Sequence, residues 1–196
     1  MKVFYFLLLT LLLSTPSLFA QTQFHKVVKE YYRVNPFESN FSAFIRALSN
    51  DPALLNKSIV LKTDSTNYFL KGEYKIFNPF SINAEKIEVV FAEHQHELDS
   101  DIQKLYTSYS YQITGYFEDT PNNRNHITKD YGKIKRRLNR EMRSETIDLK
   151  GIRNITAGEI TNFFYSISIV YPITISWQTL PKSNKLAITV LTRYGN

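Results

Sequence analysis

The stretch FFYSISIVYPITISW, Phe163 to Trp177, decides the fold class. Phe163, Tyr165, Ile167, Ile169, Tyr171, Ile173, Ile175 and Trp177 stand at every second position without a miss. Successive side chains of a strand point to opposite sides, so a period of two is a β signal with one apolar side. A single strand of that length, at about 3.3 Å per residue, would run to roughly 50 Å, too long for a small domain. Pro172 has no amide hydrogen to give a ladder and is the expected point of bending or splitting.

The same period extends in both directions. Downstream, Pro181-Lys182-Ser183-Asn184 turns the chain into Leu186, Ile188 and Val190, a hairpin partner. Upstream, strands are predicted around Ile59 and Leu61, from Tyr68 to Ile76, from Ile87 to Phe91, and from Tyr109 to Phe117. The helical period appears three times. Phe24, Val27, Val28, Tyr31 and Tyr32 form one apolar stripe, stopped by Asn35-Pro36. A second helix starts at a Ser39 cap and carries Phe41, Phe44, Ile45 and Leu48, with one further turn expected over Ala53-Leu54-Leu55. The third carries Ile127, Tyr131, Ile134, Leu138 and Met142, after a loop signal at Asp119 to Asn123. The expected fold is α+β: an antiparallel sheet of about six or seven strands, N-terminal helices and one inserted amphipathic helix.

Residues 1–20, MKVFYFLLLTLLLSTPSLFA, read as a signal peptide. Lys2 is the positive n-region, Val3 to Leu13 the apolar core, and Ala20 the small residue before a cut ahead of Gln21. The run is shorter than the roughly 20 residues a spanning helix takes, so no transmembrane segment is expected in the mature protein. Residues 21–196 then form a single α+β domain, periplasmic or secreted. With no cysteine, the chain has no disulfide, no thiolate metal site and no cysteine nucleophile. An exported protein without disulfides fits a bacterial envelope better than an animal secretory route.

The net charge of +6 becomes +5 once Lys2 is removed, and it is unevenly distributed. Lys133, Arg136, Arg137, Arg140 and Arg143 crowd the third helix, with Lys129 and Lys135 in the same stretch. Against them, Glu85, Glu88, Glu93, Glu97, Asp99 and Asp101 crowd the third strand and the segment after it. The basic helix suits anionic lipid headgroups, an acidic glycan or an acidic protein, against the plain alternative of a solvated outer side. Nucleic acid is not an expected partner, because export keeps the chain away from it.

His94 and His96, two apart on a strand, point to the same side as a pair of imidazole ligands would. A divalent metal would need a third ligand, which Glu93, Glu97, Asp99 or Asp101 could supply. The plain alternative is a solvated strand end, and no other cofactor is indicated. Tyr106 and Tyr116 fall on the polar side of their strand, where aromatic rings can serve as a binding platform. There is no nucleophile elbow, zinc-protease motif, P-loop or dinucleotide fingerprint. No catalytic residue is assigned, and the balance is against an enzyme. The expected function is an exported binding or structural module of the envelope or extracellular space, contacting an anionic partner through its basic helix; the alternative is a small secreted hydrolase, metal-assisted. Intact-mass measurement of the exported protein should place its N-terminus at or within a few residues of Gln21; a mature species retaining Lys2 would mean an anchored helix instead.

Overall fold

In the computed structural model, the alternation in the first half of the chain becomes four successive antiparallel strands. They are β1 (Leu54–Thr63), β2 (Thr66–Tyr74), β3 (Lys86–Leu98) and β4 (Lys104–Glu118). The structure describes residues 26, 28–37, 40–63, 66–98, 104–140, 143–146, 160–166 and 169–192. The expected signal peptide 1–20, the Ser39 cap and Met142 lie outside that set. After β4 the chain crosses by helix to the far edge and returns through β5 (Arg143–Thr146), β6 (Ile160–Ser166), β7 (Ile169–Leu180) and β8 (Ser183–Thr192). β8 pairs with β4, giving one sheet in the order β1-β2-β3-β4-β8-β7-β6-β5, antiparallel throughout.

The α+β class and the antiparallel sheet are as expected. The sheet has more strands than the periodicity shows, because four-residue β5 is too short to display a period. The long alternating stretch does split, but not at Pro172. The reversal falls between Ser166 and Ile169, which pair with each other. Pro172 lies within β7, just ahead of Ile173, where the pairing with β8 begins. Its missing amide therefore interrupts no bond of that ladder. The turn between β7 and β8 is the two residues Pro181 and Lys182, with Lys182 at φ 69°. Proline's fixed negative φ followed by a positive one is the type II sequence.

One side of the sheet is apolar and carries the helices. Leu70, Val89, Phe91, Tyr111, Ile113, Ile175, Ile188 and Val190 are all buried there. Helix α1 (Phe41–Asn50) covers the β1 end through Phe44 and Leu48. Its cap is Asn40, one residue after Ser39, whose Oδ1 accepts from the Ala43 amide at 2.9 Å. Helix α2 (Pro121–Asn139) packs on β6, β7 and β8. The segment read as a loop is its start. Thr120 Oγ1 accepts from the Asn123 amide at 3.1 Å, and Pro121 opens the helix, where a missing amide costs nothing. Between the two helices, the helical residues 28–31 put Val28, Tyr31 and Tyr32 into the core. The Tyr32 hydroxyl donates to the carbonyls of Ile188 at 2.8 Å and Tyr111 at 3.1 Å, in the middle of the sheet. Gly115 is required where Phe80 and Phe117 close over β4, since a Cβ there would stand 2.7 Å from both rings.

Ala53 and Leu54 do not continue the helix. Leu54 opens β1 instead, and the reason is Asp51. Its carboxylate accepts from the Ala53 amide at 2.9 Å, from Arg33 at 2.9 and 3.2 Å, and from the Tyr74 hydroxyl at 3.2 Å. The Asp51 backbone joins as well, its amide donating to Leu48 and its carbonyl accepting from Leu54. This short polar side chain thus ends α1 and starts β1 by the local competition that makes aspartate a helix stop. Burial opposes its ionisation, but Arg33, the Ala53 amide and Tyr74 outweigh it and hold the carboxyl below the usual range. Burial pushes the Tyr74 phenol up, with Asp51 adding to it.

A carboxyl depressed in the folded state contributes stability above its unfolded pKa, near 4, and loses it as pH falls through the folded value. Urea unfolding should therefore show stability declining from about pH 4 downward, with a shallower decline in Asp51→Asn. At pH 7 the variant should be less stable by roughly 1–3 kcal/mol, the range for an unsatisfied buried donor. An acid slope identical in variant and parent would place the titration elsewhere.

Candidate functional site

The outer side of α2 is the site the sequence singled out, and its geometry follows from the buried side. Ile127, Tyr131, Ile134 and Leu138 step by four, three and four residues and are all buried. Lys129, Lys133, Arg136 and Arg140 repeat the same steps two residues later, and all four are exposed. Two residues turn a helix by about 200°, so the basic row is diametrically opposite the apolar one. Lys129 was not among the residues singled out, although its spacing to Lys133 marks it.

The sole acidic residue of α2, Asp130, takes no part in that outer surface. It is buried, accepts from the Ser81 amide at 2.7 Å and forms a short bond with the Ser81 hydroxyl. Arg137 is also withdrawn. Its guanidinium forks onto Glu30, with contacts of 2.7, 3.0 and 3.1 Å. That bridge holds the N-terminal helical turn beside α2 and brings the exposed Lys26 and Lys29 into the neighbourhood. No sequence pattern could link those lysines to α2, because the link is a contact between residues 107 apart. In the same place, burial and then Glu30 push the Tyr31 phenol up to about 12. Arg143 has left the helix: it begins β5, opposite Tyr165, and its side chain falls outside the described part of the structure. Of the five predicted cations, Lys133, Arg136 and Arg140 thus share one exposed row, Arg137 flanks it in an ion pair, and Arg143 is on another element.

His94 and His96 both lie on β3, opposite Ser108 and Tyr106. The His94 ring is exposed and shares a 2.8 Å hydrogen bond with the Ser110 hydroxyl. The His96 side chain lies outside the described part, as do Asp99 and Asp101. Alternation puts Glu93 on the opposite side of the strand from His94. Among the described residues no group of three or more histidine, cysteine or carboxylate side chains comes together as a metal site. A cleft of about 600 Å³ opens at the ends of β1, β2 and β3, lined by Leu55, Glu73, Ile76, Phe77 and Lys86 among others, and neither histidine borders it.

Tyr116 does lie on the sheet side away from the helices, but within a charge network that no periodicity revealed. Glu88 pairs with Lys71 at 2.8 Å and Lys86 at 3.2 Å, Lys86 pairs with Glu73 at 2.8 Å, and the Tyr116 hydroxyl donates to Glu88 at 3.3 Å. Burial works against the Glu88 charge, yet the two lysines more than offset it and lower its pKa. The Tyr106 side chain is outside the described part. Two members of the acidic segment are therefore accounted for locally: Glu88 is neutralised by lysines, and Glu93 lies on the helix side of β3.

No protein-family model matches the chain, and no curated protein or solved structure matches it either. No helix among the described residues is long and apolar enough to cross a membrane.

The two sides of α2 should respond to substitution in opposite ways. Leu138→Ala, at a fully buried site, should destabilise the protein by about 2–5 kcal/mol. Reversing Arg136 and Arg140 to glutamate should cost no more than about 1 kcal/mol per site, the order of the macrodipole effect at a helix C-terminus. Thermal and urea unfolding of the three proteins decide this; a large loss in the reversed variant would give those arginines a structural role.

Proposed function

We propose that the chain is an exported binding module of the cell envelope or extracellular space, and that it engages an anionic partner through the outer side of α2. The observation that carries the reading is the uninterrupted exposed row of Lys129, Lys133, Arg136 and Arg140, on a helix whose single acid is turned inward. A solvated outer side needs polarity, not a single sign. Like charges three and four residues apart destabilise a helix by about 0.2–0.5 kcal/mol per pair, so such a row is a cost unless something offsets it. The helix macrodipole favours cations only in the last turn, which accounts for Arg136 and Arg140 but not for Lys129 and Lys133. A partner with negative charge would supply the compensation for the whole row. The leader-like residues 1–20 support export, and a bacterial envelope agrees with the absence of cysteine.

Chromatography on immobilised heparin, used here as a generic polyanion, tests the surface without presuming the partner. The parent protein should elute at distinctly higher salt than the variant carrying Lys133→Glu, Arg136→Glu and Arg140→Glu, with melting temperatures matched. Co-elution of the two folded proteins would remove the basic row from the function.

A further inference from the structure

The basic side of α2 lacks the features with which proteins and sugars are held. Every aromatic and large aliphatic residue of the helix (Ile127, Tyr131, Ile134 and Leu138) is buried. Stable protein interfaces depend on apolar or aromatic anchors at their centre and are depleted in lysine there. Neutral sugars are held on an aromatic platform, and among the described residues this side of α2 offers none. An anionic bilayer requires neither, since each lysine or arginine held near it strengthens partition about fivefold by charge alone.

The layout fits a plane rather than a point. From Lys129 to Arg140 the row extends about 16 Å along the helix axis. The Glu30–Arg137 bridge places a second element beside it, with Lys26 and Lys29 exposed. The cations of α2 are thus spread along one helix, with the turn bearing Lys26 and Lys29 beside it and Glu30 paired with Arg137 between them.

We infer that α2 and the adjoining helical turn form a docking surface for an anionic lipid bilayer, with the cations against headgroup phosphates and no side chain inserted among the acyl chains. The inference rests on the reading of this side of α2 as the working surface. Binding of this kind is electrostatic and shallow, so it responds strongly to salt and lipid charge.

Co-sedimentation of the purified protein with vesicles tests it. Partition onto mixed phosphatidylcholine–phosphatidylglycerol vesicles is expected at low salt, with little onto pure phosphatidylcholine. Arg136→Glu combined with Arg140→Glu should weaken that partition by about 25-fold or more, from two contributions of about fivefold each. Raising ionic strength to about 1 M should abolish it in the parent. Equal binding to neutral vesicles, or undiminished binding by the folded variant, would overturn the inference. Retention on heparin that the charge reversal reduces, with no partition onto charged vesicles, would overturn the lipid assignment and leave the anionic-partner reading standing. Loss of both signals would overturn both.

Discussion

An antiparallel sheet with Leu70, Val89, Phe91, Ile113, Ile175 and Ile188 on one side has to cover that side, since each such group left in water forgoes roughly 1.5–3 kcal/mol. Among the described residues, three helical pieces do the covering. Helix α1 supplies Phe44 and Leu48 near β1, the N-terminal turn supplies Val28, Tyr31 and Tyr32, and α2 supplies its four-residue stripe over β6 to β8. The orientation of α2 is fixed by this requirement. Once Ile127, Tyr131, Ile134 and Leu138 face the sheet, Lys129, Lys133, Arg136 and Arg140 have to face water. The surface that carries the proposed function is therefore a consequence of how the core is closed.

Buried polar groups set the joints of this arrangement. Asp51 brings Arg33, Ala53 and Tyr74 together where α1 gives way to β1. Tyr32 ties the N-terminal turn to β4 and β8 through two carbonyls. At the helix start, Asp119 accepts a bidentate pair of bonds from Arg124 and a third from the buried Asn184, and these hold its carboxyl down to about 2. Asp130, three residues after Ile127 and four before Ile134, lies toward the buried side of α2, where it pins the loop at Ser81.

The other side of the sheet handles charge differently. Lys71, Glu73, Lys86 and Glu88 alternate in sign across β2 and β3 and neutralise one another, with Tyr116 hydrogen-bonded to Glu88. Of the two charge-rich segments, only the basic one keeps a row of exposed like charges among the described residues. A local excess of charge in sequence does not become a field at the surface when partners of opposite sign lie on neighbouring strands. It does so on α2 because helical geometry carries the cations away from the sheet and its acids.

By itself, the sequence determined the class of fold, most of its strands, the apolar stripe of α2 and the basic character of the side opposite. All of these are periodic, and a period of two or of three to four is set by backbone geometry before any tertiary contact forms. Only the tertiary structure decided where the long alternating stretch reverses, that β5 exists, and that Leu54 opens a strand. The first two depend on pairing partners distant in the chain; the third depends on Asp51, whose carboxylate joins the neighbouring Ala53 amide to Arg33 and Tyr74, 18 and 23 residues away. It also decided where the cations lie. Glu30 meets Arg137, so the turn that bears Lys26 and Lys29 lies beside α2, and Arg143 opens β5 instead of extending the helix. A contact between remote residues has no period, and so it leaves no mark in a single sequence.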